Sequence, residues 1–202
     1  MKKRIILAST SPRRRELAQA MGLDFEIVPS GYEEDMKLKI KPEEMVKMFS
    51  YGKAFDVSKK FNEGIVIGVD TIVVFNGKNL GKPKSKEDAF MMLKSYSGKK
   101  QYVYSGVCMI DCKTRKIISD CEKTEVYFRK MEDNEIRDYI ETGGPMDKAG
   151  AYGIQDLSSI FIKKINGCYF NVMGFPIHNI HKNLKKMGVD IFEYEKWKGK
   201  SV

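Results

Sequence analysis

The sequence predicts an α/β protein in which a mixed sheet is flanked by helices. Three observations carry that reading. Short apolar runs alternate with helical patterns in the first third, the order that builds β-α-β units. Later, β-rich runs follow one another across polar turns, the order that builds hairpins. The composition, 42% apolar and 31% charged over 202 residues, is that of a globular chain long enough to bury roughly 70% of its unfolded surface. We therefore expect one domain over residues 1–202, with no internal repeat, low-complexity tract or linker dividing it.

The elements follow in order. Residues 4–8, Arg-Ile-Ile-Leu-Ala, read as a buried strand. Ser9-Thr10-Ser11-Pro12 is a turn, with Ser11 suited to cap a helix and Pro12 to open it. That helix covers 12–21 and stops at Gly22. A second strand covers 25–28, and 29–40 is an acidic loop around Glu33-Glu34-Asp35. Pro42 opens a helix to about Phe61, with Met45, Phe49, Ala54 and Val57 facing inward. Residues 65–75 are strand-rich, interrupted by Gly68 and by Asp70-Thr71, and Asn76-Gly77 is a turn. Ser85 and Asp88 form a capping box for a helix through Tyr96, which Gly98 ends. Residues 101–110 and 117–128 make a hairpin. Ile136, Tyr139 and Ile140 mark one side of an amphipathic helix over 132–142. After a glycine-rich loop over 147–155, residues 160–165 and 168–172 flank Asn166-Gly167 as a second hairpin. Pro176 opens a last helix to about Met187, and the tail from Glu193 is polar.

Several function classes are excluded early. No apolar run approaches the roughly 20 residues of a membrane span, and the start Met-Lys-Lys-Arg is not followed by a signal-peptide core. A cytoplasmic protein is expected. Cys108, Cys112, Cys121 and Cys168 lack zinc-ribbon spacing, so reduced thiols are expected rather than structural zinc. The net charge of +9, from 36 Lys and Arg against 27 Asp and Glu, predicts attraction to anions and says nothing about fold.

The arginines are more telling than the total. Only seven occur, and three stand together as Arg13-Arg14-Arg15. They open a helix, where unpaired N–H groups and the dipole favour an anion and disfavour cations. Ser9, Ser11, Arg13 and Arg14 thus read as a phosphate cradle; a capped helix with a solvated basic turn is the plain alternative. In Gly68-Val69-Asp70-Thr71, Asp70 sits in an apolar strand. It reads either as a turn residue or, functionally, as a metal ligand or a general base at a strand end; Glu33-Glu34 of the earlier loop, otherwise a solvated acidic loop, would supply a second carboxylate for a Mg²⁺-type ion. Gly81-Lys82-Pro83, Lys53 and the 147–155 loop form the third group. Lys82 precedes a proline, so its backbone is extended. Gln155 carries both a donor and an acceptor for a base edge. Surface charge and a structural turn are the alternatives here.

Taken together, Leu7-Ala8-Ser9-Thr10-Ser11-Pro12-Arg13-Arg14, Gly68-Val69-Asp70-Thr71-Ile72-Val73, Gly81-Lys82-Pro83 and Asp147-Lys148-Ala149-Gly150-Ala151-Tyr152-Gly153-Ile154-Gln155 resemble the Maf family of nucleoside triphosphate pyrophosphatases. The resemblance spans about residues 4–188. It departs from the family at Thr10, where glycine is common, and at Gly81, where a bulkier or acidic residue is common. It implies an elongated two-lobed fold like that of inosine triphosphatases, with a central cleft. It also implies release of pyrophosphate by water attack on the α-phosphorus, with Asp70 as general base. Arg13, Thr71 and Gln155 match positions tied to dTTP/UTP choice, and Glu34, Lys53 and Lys82 match further polar site positions. Ser9, Ser11, Arg14 and Lys148 complete the expected substrate-binding set, and Glu34 and Asp70 are the expected ligands of Mg²⁺ or Mn²⁺. The expected partner is a nucleoside triphosphate, with a homodimer allowed and neither a membrane nor a specific nucleic acid expected. Two alternatives stand beside this reading: a 7-methyl-GTP pyrophosphatase of the same fold, and a non-catalytic nucleic-acid-binding or septum-regulating protein.

Overall fold

The computed structural model describes residues 2–193; the expected polar tail beyond Glu193 lies outside them. Strand β1 (Ile5–Ala8) is buried along its length. Helix α1 (Pro12–Ala20) follows, then β2 (Phe25–Ile27), α2 (Pro42–Ser58) and β3 (Ile65–Phe75). Strand β1 pairs in parallel with both β2 and β3, with Leu7 beside Ile27 on one side and Ile67 on the other. The rest of the chain supplies β4 (Lys78–Leu80), α3 (Lys86–Tyr96), β5 (Lys100–Asp111), β6 (Ile117–Phe128), α4 (Asp133–Glu141), β7 (Ile162–Asn166), α5 (Tyr169–Val172) and α6 (Ile177–Lys186). Among the described residues the sheet has seven strands in the order β2-β1-β3-β5-β6-β7, with β4 antiparallel on β3 and β7 antiparallel on β6. Parallel and antiparallel pairs together make it the expected mixed sheet. Among the described residues no helix is long and apolar enough to cross a membrane.

The chain divides into two compact units. The first holds the chain up to Asp70, residues Ser105–Glu122, and the chain from Gly174 onward. Part of its core joins Ile6 and Ala8 of β1, Ala54 and Val57 of α2, Val66 of β3 and Cys108 and Ile110 of β5. The second unit holds Thr71–Tyr104 and Lys123–Met173. Its core gathers Val73, Phe75, Leu93, Tyr96, Val103, Val126, Phe128, Ile136, Tyr139 and Phe161. Burying these aromatic and branched side chains is the main stabilising term, worth about 1.5–3 kcal/mol per large side chain.

Local signals explain most boundaries. Ser11 Oγ accepts from Arg14 N at 3.5 Å, and Pro12 opens α1. Asn76 and Gly77 both have positive φ, 48° and 74°, the left-handed pair a two-residue hairpin needs. Met45, Phe49, Ala54 and Val57 are fully buried on α2 as expected, although the helix ends at Ser58 rather than Phe61. Ser85 Oγ accepts from Asp88 N at 3.1 Å, but the Asp88 carboxylate turns to Lys84 N at 2.9 Å, so the expected capping box is only half formed.

Two expectations are corrected. Strand β3 runs through Gly68 and Asp70-Thr71 without interruption. The second hairpin is absent: β7 pairs with β6, and residues 169–172 form a helical turn. Side chains from distant strands decide this. Cys168 N donates to Thr124 Oγ1 at 3.0 Å, and the buried Asn171 amide donates to Val103 O at 3.1 Å and Thr124 Oγ1 at 2.9 Å. Those bonds anchor the segment where a returning strand would have continued the ladder.

Candidate active site

Helix α2 lies so close to the sheet that two of its contacts admit no side chain. A Cβ at Gly68 of β3 would collide with the Ser50 carbonyl oxygen and come within 2.8 Å of Ala54 N. A Cβ at Gly106 of β5 would collide with the Val46 carbonyl. These glycines let the helix backbone rest on the strands. The docking brings Lys53, one turn beyond Ser50, to Asp70, two residues beyond Gly68. Lys53 Nζ lies 2.6 Å from Asp70 Oδ1.

The acidic loop is held against the same helix. Asp56 Oδ2 accepts from Gly31 N at 2.8 Å and Ser30 Oγ at 3.1 Å. The Gly31 N–H is the main reason the Asp56 carboxyl sits below its ordinary range. Tyr32 lies over Gly52, where any Cβ would strike its ring. Glu34 is thereby delivered to the other side of Lys53, 2.5 Å from Nζ. One ammonium therefore bridges two carboxylates. Asp70 is only 4% exposed, and its Oδ2 is buried with no hydrogen-bond partner among the described residues. Such an atom signals a missing water, ion or ligand.

The start of α1 adds cations. Ser11 N donates to Ser9 Oγ at 3.1 Å, and no acidic residue occupies the first turn. The half-buried Arg14 donates from Nε to Gly174 O at 3.0 Å. Burial lowers its affinity for a proton, and Arg13 adds to this, while Asp70 and Glu34 partly offset it. Tyr32 is pushed up by burial and then by Glu34, Asp70 and Asp35. Thus Ser9, Ser11, Arg13, Arg14, Glu34, Lys53 and Asp70 all fall in the first unit, with Lys53 joining Glu34 to Asp70.

Thr71, Lys82, Lys148 and Gln155 fall in the second unit. The segment carrying Lys82 meets the 147–155 loop through Gly150 N, which donates to Gly81 O at 2.9 Å. Lys82 and Gln155 are exposed, and Thr71 is half-buried. Lys148 is engaged within the loop: its Nζ reaches Gly144 O at 2.5 Å, Asp147 at 2.8 Å and Asp156 at 3.1 Å. These partners make it a brace of its own loop.

The sequence reading missed Tyr32, Gly52, Asp56 and Gly106. Only Gly31-Tyr32, beside the acidic pair, offered a local hint. The expected metal ligands are Asp70 and Glu34, and the Lys53 ammonium lies between them. Among the described residues no three His, Cys, Asp or Glu side chains form a group that could hold a metal; Asp70 Oδ2, buried and without a hydrogen-bond partner there, is the donor atom left open. Two carboxylates completed by phosphate and water are the donors Mg²⁺ ordinarily takes.

Residues 4–187 match the family described as Maf-like protein. The chain belongs to the Maf-like family. Its relatives agree in length as well as sequence. A protein of Clostridium perfringens, strain SM101, is 48% identical over 190 residues, covering 93% of this chain and 99% of the relative. One of Alkaliphilus oremlandii is 52% identical over 179 residues, covering 88% and 93%. One of Caldicellulosiruptor saccharolyticus is 43% identical over 197 residues, covering 96% and 99%. Each is named dTTP/UTP pyrophosphatase. The Maf-like match encloses the Ser9–Arg14 turn, Asp70 and the 147–155 loop.

Proposed function

We propose that this Maf-like protein hydrolyses dTTP and UTP to the monophosphate and pyrophosphate. The names of its relatives support the substrate. The observation that carries the chemistry is the buried Asp70, one oxygen on Lys53 and the other without a hydrogen-bond partner among the described residues.

In this reading Asp70 Oδ2 takes the proton of the water that attacks the α-phosphorus. A positioned base of this kind contributes about 10²–10⁴-fold. Lys53 fixes the carboxylate through Oδ1, leaving Oδ2 to act. Arg13 and Arg14, with Ser9 and Ser11 at the positive end of α1, hold phosphate oxygens and offset charge on the departing pyrophosphate. Lys82 adds a further cation, and Thr71 and Gln155 read the pyrimidine edge. Asp70 and Glu34 would hold a divalent cation, Mg²⁺ or Mn²⁺, which when bound neutralises triphosphate charge. No covalent nucleophile is needed. The protein acts in the cytoplasm, and a homodimer is compatible with this role.

Product analysis tests the reading. UTP and dTTP, incubated with protein and Mg²⁺, should yield monophosphate and pyrophosphate in equal amounts, with neither formed in EDTA. Diphosphate and free phosphate would mean attack at the γ-phosphorus and would reject it. A faster turnover of 7-methyl-GTP in the same panel would move the substrate to that branch.

A further inference from the structure

Gly150 is the point where two parts of the second unit meet, and both of its peptide groups are used. Its N–H donates to Gly81 O at 2.9 Å, next to Lys82. Its carbonyl accepts from Tyr96 Oη at 2.7 Å, a bond between buried groups. The backbone there has φ of +75° at Gly150 and +62° at Ala151. Two consecutive left-handed residues, the second carrying a Cβ, persist only where the surroundings hold them. Tyr96 is equipped to do so. It is fully buried at the end of α3, its ring packed against Phe75 and Phe128 at centroid distances of 5.4 Å. Burial pushes its hydroxyl strongly upward, keeping it a proton donor at every working pH.

We propose that Tyr96 is a positioning residue for the nucleotide, holding the Lys82 segment and the Gln155 loop in register through Gly150. The proposal deepens the function above and rests on it: if Lys82 takes phosphate and Gln155 takes the base, one buried hydroxyl sets both. Fixing two binding groups at once lowers the entropy lost when substrate binds. The effect belongs to substrate affinity and base choice. It does not belong to the proton transfer at Asp70.

Tyr96→Phe keeps the ring and removes only the hydroxyl. We expect KM for UTP to rise about fivefold or more while kcat stays within threefold, the signature of lost binding. The kcat/KM preference for UTP over GTP should fall at least threefold. Amide exchange across 147–155 should quicken about tenfold, reporting local opening, while β6 stays protected. Tyr152→Phe is the comparison: its hydroxyl is buried without a partner among the described residues, so exchange across 147–155 should not change. Unchanged exchange in Tyr96→Phe, or equal quickening in Tyr152→Phe, overturns the link. Quicker exchange with unchanged KM and preference overturns the positioning role. Failure of the wild type to hydrolyse UTP or dTTP instead rejects the function, and the exchange comparison still decides the Tyr96–Gly150 link.

Discussion

Lys53 Nζ stands 2.6 Å from Asp70 Oδ1, across a helix–strand contact that leaves no room for a side chain at Gly68. The ammonium occupies one carboxylate oxygen and leaves the other buried and, among the described residues, unpartnered. This division gives the carboxylate a fixed orientation and an open acceptor.

Asp70→Asn should therefore fold normally and lose about 10²-fold or more in turnover, the range a positioned base supplies. The amide keeps the shape and an oxygen for Lys53, but cannot take a proton. Circular dichroism and a urea melt check the fold, and pyrophosphate release checks the rate. Turnover within a few-fold of wild type removes Asp70 from the mechanism.

Gly68→Ala should be the most damaging single-methyl change on β3. Its Cβ meets the Ser50 carbonyl and Ala54 N, which are helix backbone and cannot swing aside. Overpacking of this kind costs about 1–3 kcal/mol, and the displaced helix carries Lys53 away from Asp70. A lower urea midpoint together with reduced kcat is expected. An unchanged midpoint would show that α2 does not rest on Gly68 in solution.

Gln155→Glu should weaken base selection. A uracil or thymine edge offers two carbonyl acceptors around one N3–H, and an amide meets a donor–acceptor pair of that edge. The wild type should prefer dTTP and UTP over dATP and dGTP in kcat/KM, with CTP intermediate. A site whose polar groups lose their partners discriminates strongly, so the variant should narrow the gap. Equal use of purine triphosphates by the wild type would show that Gln155 does not read the base.

Acid should weaken the end of the β5–β6 hairpin through Asp111. Burial raises this carboxyl, but the N–H groups of Thr114 and Lys113 and the Lys3 ammonium outweigh it, and the net shift is downward. Those partners lie at 3.0 Å. A lowered folded value means the stabilisation is complete above the unfolded value, about 3.9, and is lost as pH falls through the folded one. Asp111→Asn should cost about 1–3 kcal/mol at pH 7, and the gap should narrow as pH falls below the ordinary carboxylate range. Urea melts at pH 7 and in acid check this; an equal gap at both would be inconsistent with it.

The local layer of this protein was legible in its sequence. Ser11 and Pro12 announced α1, Asn76-Gly77 announced the β3–β4 turn, and Ile136, Tyr139 and Ile140 gave the buried side of α4. Such features follow from backbone sterics and side-chain period within a few residues. The site residues could be named but not joined. Gly68 looked like a break in a strand because the helix that needs its missing side chain begins at Pro42, far from it in sequence. The 168–172 segment looked like a strand because Thr124, which anchors it, lies on β6. Lys148 could be named from its motif, but not its contacts with Asp147, Asp156 and Gly144 O. The sequence by itself determined the order of elements up to β7 and the residue types that chemistry requires. Only the tertiary structure decided that Lys53 separates Glu34 from Asp70, because that contact depends on how closely a helix docks on a sheet, and close packing between distant segments leaves no periodic mark on either one.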